Sequence, residues 1–170
     1  MATKTKNFSL FGVNYRTTQF TAVDALAIMD SPATHPIENL RLTQALDASE
    51  GWLSLDSKQA INRLVVDASM IVPPRIVLQK LLYEVNNFSF GFTNGWKGVK
   101  IPARFRSGVD SPKSSSHLDP MIAQLIQDGV AKLKELEEYY SLEDAFAMFD
   151  IMVAKGVNEA LANEAASKKR

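Results

Sequence analysis

The sequence predicts a mainly helical α+β protein: a helical bundle with a small N-terminal β-hairpin, interrupted by a long irregular loop around 94–118. Three observations predict it. Two aromatic and β-branched runs stand at the N-terminus, apolar residues recur every three or four positions over much of the remainder, and turn-forming residues concentrate in one internal stretch. The chain divides accordingly into residues 1–93, a hairpin plus helical domain; 94–118, a loop or linker; and 119–170, a C-terminal helical hairpin or arm packed on the first part.

The hairpin is read from Asn7-Phe8-Ser9-Leu10-Phe11 and Tyr15-Arg16-Thr17-Thr18-Gln19-Phe20, with Gly12-Val13-Asn14 as the reversal. Two strands alone are marginal in water, so the hairpin has to pack on helices or pair with another copy of itself. Thr21 with Asp24 three places on marks a capped helix entry over Ala22 to Met29, stopped at Ser31-Pro32. A short helix begins near Pro36, with Ile37, Leu40 and Leu46 among its buried positions. Asp56 or Ser57 caps a third helix carrying Ile61, Leu64, Val65 and Ala68, which Pro73-Pro74 ends. From Arg75, the positions Val77, Leu78, Leu81, Leu82, Val85 and Phe88 form one broad apolar face that frays near Gly91. Asp119-Pro120 starts a further helix whose apolar positions run from Ile122 to Tyr140, with Gly129 its weak point. Ser141-Leu142-Glu143-Asp144 caps the last helix, which carries Phe146, Phe149, Met152, Val153, Val157 and Leu161. No internal repeat or low-complexity tract is visible.

Composition narrows the function classes. With 170 residues and 46% hydrophobic content the chain can bury a real core. Nineteen basic and nineteen acidic side chains cancel, so no whole-molecule field draws in nucleic acid or a membrane surface. The chain lacks cysteine, which excludes disulfides and thiolate metal sites and fits an intracellular protein. No apolar stretch reaches signal-peptide or membrane-spanning length.

Reactive chemistry finds no footing. His35 and His117 stand apart, with no second ligand at metal spacing, and read as solvent-facing loop residues. No Gly-x-Ser-x-Gly elbow occurs, and Gly91, Gly95 and Gly98 match no phosphate-binding spacing. Glu137-Glu138 and Glu143-Asp144 are sequence neighbours, which point in different directions on a helix and cannot flank one bond. No catalytic, cofactor-binding or metal-binding residue is nominated.

What remains is a contact surface. Trp96, Lys97, Lys100, Arg104, Phe105 and Arg106 interleave aromatics with cations, a composition that suits either single-stranded nucleic acid or a protein interface. Chain neutrality favours the protein contact. Phe88, Phe90 and Phe92 alternate, and form either an aromatic plug at a helix end or an exposed patch. The candidate partner-binding residues are therefore Phe88, Phe90, Phe92, Trp96, Arg104, Phe105 and Arg106, joined by Phe146, Phe149 and Val153 of the last helix.

Several strings resemble the tail assembly chaperones of tailed bacteriophages. They are the opening hairpin (Phe8 to Gly12 and Tyr15 to Phe20), the helix Ala22 to Met29, the stretch Asn87-Phe88-Ser89-Phe90-Gly91-Phe92, the string Trp96-Lys97-Gly98-Val99-Lys100-Ile101-Pro102, and Leu136-Glu137-Glu138-Tyr139-Tyr140-Ser141-Leu142-Glu143-Asp144-Ala145-Phe146. The resemblance implies a non-catalytic protein of the infected bacterial cytoplasm that coats the tape measure protein, helps recruit tail tube protein and forms homo-oligomers. Two other readings stand beside it: a structural tail or baseplate protein of the virion, and a nucleic-acid-binding module using the basic and aromatic loop.

Overall fold

A computed structural model describes residues 3–31, 35–105 and 117–168. It has an α+β architecture, with one four-stranded antiparallel sheet and, among the described residues, seven α-helices. The strands β1 (Thr5–Leu10), β2 (Val13–Thr18), β3 (Thr43–Asp47) and β4 (Gly51–Ser54) lie in sequence order across the sheet. The helices are α1 (Ala22–Asp30), α2 (Pro36–Leu40), α3 (Lys58–Leu64), α4 (Pro74–Phe90), α5 (Pro120–Gln127), α6 (Leu133–Glu138) and α7 (Leu142–Ser167).

The N-terminal hairpin forms in the predicted segment, but its reversal is two residues rather than three and begins one residue earlier, at Phe11. Phe11 and Gly12 make the two-residue turn with φ of +50° and +79°, and Val13 and Asn14 already belong to β2. Positive φ at both central positions matches the twist of the flanking strands. A methyl group at Gly12 would meet the Ala68 Cβ at 2.8 Å, so glycine is needed for space as well as conformation.

The hairpin does not stand alone. Leu46, expected on the second helix, lies on β3 and is exposed, because that helix ends at Leu40 and the chain returns to pair with β2. Asp47 closes the β3–β4 turn: its Oδ1 accepts from the Ser49 amide at 2.8 Å, the Ser49 hydroxyl at 2.6 Å and the Glu50 amide at 3.1 Å. These bonds and the Arg63 guanidinium hold its carboxyl well below the usual carboxylate range.

The sheet's inner face supplies Phe8, Leu10, Val13, Tyr15, Ala45 and Leu53 to a core shared with Ile61, Leu64 and Val65 and with Val77, Leu81 and Val85 of α4. Tyr15 is fully buried there, its hydroxyl donates to the Leu64 carbonyl at 3.2 Å, and burial pushes the phenol up to about 12. A second core gathers Ala22, Ile122, Leu125, Ala131, Leu136 and Ala145, and a third links Phe20, Ala25 and Leu142.

Two helices are shorter than their periodicity suggests. α3 stops at Leu64, so Ala68 lies in the α3–α4 loop; the buried Asp67 carboxylate binds that loop in place of helical hydrogen bonds. The helix read from Asp119 to Tyr140 is two helices: Gly129 adopts φ +67°, the Val130 amide donates to the Leu125 carbonyl at 2.9 Å, and α6 begins only at Leu133. The apolar rhythm continued through a left-handed glycine because both pieces face the same core.

Two helix starts share a local pattern. Phe20-Thr21-Ala22-Val23-Asp24-Ala25-Leu26-Ala27-Ile28-Met29-Asp30 parallels Tyr140-Ser141-Leu142-Glu143-Asp144-Ala145-Phe146-Ala147-Met148-Phe149-Asp150. The two strings meet in space: Thr21 and Ser141 form an antiparallel bridge, and the Ala22 amide donates to the Tyr140 carbonyl at 2.8 Å.

Candidate contact surfaces

Of the predicted contact residues, Phe92, Trp96 and Arg104 meet Phe146 and its neighbours on one side of α7. α4 ends at Phe90, and a 3₁₀ turn over Gly91–Gly95 swings Phe92 and Trp96 toward that helix. Phe92, Trp96 and Phe146 then pack edge to face in a closed triangle, with centroids 5.7, 5.5 and 5.8 Å apart. Phe90 stacks on the buried Phe20 at 6.0 Å. These are the offset and edgewise geometries that ring quadrupoles favour. Phe88 is half-buried on the sheet side, with the Lys6 ammonium 5.9 Å from its ring centre. The alternating phenylalanines are thus a plug at the end of α4 rather than an open patch.

From Trp96 the chain continues along α7 as an irregular strap, ending in a short 3₁₀ turn at Ala103–Phe105. Three contacts tie it to α7 among the described residues. Trp96 touches Phe146, the Val99 amide donates to Asp150 Oδ1 at 3.4 Å, and Arg104 Nε donates to Glu164 Oε2 at 3.0 Å. Phe146, Asp150, Val153, Val157 and Glu164 share one face at 3.6 residues per turn. The Lys168 ammonium and the Arg104 guanidinium hold the Glu164 carboxyl below its ordinary value. Arg104 also lies over the Phe105 ring at 5.0 Å. Its charge is therefore spent within the chain, which weakens it as a phosphate ligand. Phe149 points elsewhere, into the core of α1, α5 and α6, and Val153 is half-buried. Arg106 lies outside the described residues.

The other singled-out residues have local duties. His35 caps α2, its Nδ1 accepting from the Ile37 amide at 3.3 Å. Glu143 pairs with Lys4 at 2.9 Å, while Asp144 turns back to bond Ser141. Among the described residues no cluster of His, Asp and Glu is arranged to hold a metal ion. No described helix is long and apolar enough to cross a membrane.

Two surfaces escaped the sequence reading. Met70 and Ile71, in the α3–α4 loop, are 94% and 81% exposed. The run Met70-Ile71-Val72 was visible in the sequence, but its meaning depends on the buried Asp67 that holds the loop. The second is a groove of about 370 Å³ between the α5–α6 turn and the side of α7 away from the strap, lined by Val130, Met148, Ile151 and Met152. Its signal was present in the spacing of Met148, Ile151 and Met152, which falls off the stripe through Phe146 and Val153. No protein-family model, curated protein or solved structure matches this chain.

Proposed function

We propose that this chain is a binding protein without chemistry of its own, a tail assembly chaperone of tailed bacteriophages. In this reading it works in the infected bacterial cytoplasm, holds apolar helical segments of the tape measure protein, helps recruit tail tube protein and self-associates. The observation that carries the reading is the strap over α7. An apolar helical stripe through Phe146, Val153 and Val157 leaves the α1 core at Phe146 and runs on beside irregular chain, whose ties to α7 among the described residues include one long amide–carboxylate bond and one solvent-exposed ion pair. Exposed pairs of this kind contribute little, typically about 0.2–1 kcal/mol. A partner helix presenting anchors three and four residues apart can replace the strap on that stripe, which is the helix-in-groove mode of recognition.

Co-expression with segments of a tape measure protein, followed by pull-down through a tag on this chain, tests the reading. The wild-type chain is expected to retain an apolar helical segment, and Val153→Asp to release it without loss of the folded state. A wild-type chain that retains no segment and is recovered from purified virions would instead be a structural tail protein.

A further inference from the structure

We propose that Met70 and Ile71 form a prebuilt apolar plug that seats in the Val130–Met148–Ile151–Met152 groove of a second copy of this chain. This deepens the self-association in the reading above, and it concerns neither the strap nor the tape measure contact.

The plug is held open at a conformational cost. Met70 has φ +57°, a left-handed conformation that residues with a side chain rarely adopt. The loop keeps it there through Asp67, which is buried and accepts from the Ser69 amide at 3.0 Å, the Ile71 amide at 2.9 Å and the Val72 amide at 2.8 Å. The Ser69 hydroxyl and those backbone donors hold the Asp67 carboxyl down at about 2, so the lock stays ionised at neutral pH. The Ala68 amide donates to the Phe11 carbonyl at 2.9 Å, tying the loop to the β1–β2 turn. A loop tied down by Asp67 that presents a methionine and an isoleucine to solvent is the reverse of ordinary surface economy. It is also prepared for binding, because little ordering entropy remains to be lost.

The groove is the matching element. Ile151 is 71% and Val130 41% exposed on its walls, and no atom would stand within 4 Å of a methyl group at Gly156, so the space is open. Its methionines can reshape around an incoming side chain. The volume is ample for two aliphatic side chains.

The charges beside plug and groove are complementary, which favours another copy as the occupant. Arg75, exposed in the first turn of α4 beside the plug, pairs with no carboxylate among the described residues. The groove's charged lining is Asp128, Lys155 and Glu159, one negative charge in excess. Plug and groove also belong to different cores, Val72 packing with the sheet and Met148 with α1, α5 and α6. A protrusion on one part of a chain that fits a groove on another makes a heterologous contact, which closes into rings or runs on as a filament.

Sedimentation of the purified full chain over a concentration series tests this. Wild type is expected to grow beyond a dimer. The double variant Met70→Asp with Ile71→Asp, and separately Ile151→Asp, is expected to stay monomeric with the melting behaviour of a folded protein. Mixing the two at equal ratio should give a heterodimer and nothing larger, because one intact plug then meets one intact groove. Met70→Gly, which relieves the backbone conformation while deleting the side chain, should weaken association at unchanged or higher thermal stability. A wild-type chain monomeric throughout overturns the proposal, as does a mixture that stays monomeric. Neither result touches tape measure binding, which pull-down reads separately.

Discussion

The strings Phe20 to Asp30 and Tyr140 to Asp150 start their helices with the same device and end in different electrostatic surroundings. Both place a hydroxyl residue at the N-cap in extended conformation and an aspartate three residues on. At α7 the box closes: the Asp144 amide donates to Ser141 Oγ at 3.2 Å, and Asp144 Oδ2 accepts from the Ser141 amide at 3.2 Å and its hydroxyl at 2.9 Å. At α1 it stays open. Asp24 turns outward to Arg41, 2.6 Å away, and the buried Thr21 hydroxyl has no hydrogen-bond partner. The difference teaches that a capping motif specifies where a helix begins, while neighbours decide which way its carboxylate faces. Arg41, just past α2, is the neighbour that decides it at α1.

Exchanging counterpart residues gives the largest effect. Leu142 and Ala22 occupy equivalent positions and are both buried, at 1% and 0% exposure. Leu142→Ala should cost about 2–5 kcal/mol through lost contacts and a residual cavity. Ala22→Leu should cost about 1–3 kcal/mol by overpacking. Urea denaturation measures both. A loss below about 1 kcal/mol for Leu142→Ala would mean that the junction collapses freely and that the two helix starts are not rigidly keyed to each other.

The caps themselves come next. Ser141→Ala should destabilise by about 1 kcal/mol, because it strands a first-turn amide and breaks the bond to Asp144. Thr21→Ala should be neutral or mildly stabilising, since it removes a buried hydroxyl that bonds nothing. Equal losses at the two sites, read by thermal melting, would show that Thr21 is satisfied by water in solution and would dissolve the contrast.

How much of this was legible in the sequence depends on whether the deciding interaction was local. The α4 helix, the Ser57 and Ser141 caps and the N-terminal hairpin were readable because periodicity and capping residues lie within a few positions of each other. β3 and β4 were not read, although Thr43-Gln44-Ala45 alternates buried and outward positions. Ile37 and Leu40 fit a helical spacing that the sequence reading carried on to Leu46, and only pairing with β2 settles the competition. The Gly129 break was visible as a weak point but not as a break, since the apolar rhythm continues across it. The aromatic cluster was legible as residues and not as geometry: nothing in Phe92 or Trp96 says that Phe146, fifty residues on, will complete the triangle. Met70 was the hardest to foresee, because its exposure follows from a buried aspartate that composition alone assigns to the surface.

The smallest expected effect sharpens the comparison most. Asp24 and Arg41 are each near two-fifths exposed, so their ion pair is screened by solvent and should contribute about 0.2–1 kcal/mol. Asp24→Asn should therefore cost at most that amount at low salt, and the cost should vanish near 1 M salt, where the screening length falls to about 3 Å. Asp144→Asn should behave otherwise, because Asp144 is buried and its carboxylate works through short hydrogen bonds that salt does not screen. Arg41→Gln supplies the decisive variant. If Arg41 is what draws Asp24 outward, removing it frees the carboxylate to swing back onto the Thr21 hydroxyl, as Asp144 does onto Ser141. In that background Thr21→Ala should become destabilising where it was neutral before. A double-mutant cycle between Thr21 and Arg41 reads this coupling directly. A coupling energy of zero would mean that the open box at α1 is set by backbone geometry at the Thr21–Ser141 bridge, and that Arg41 merely occupies a carboxylate already facing water.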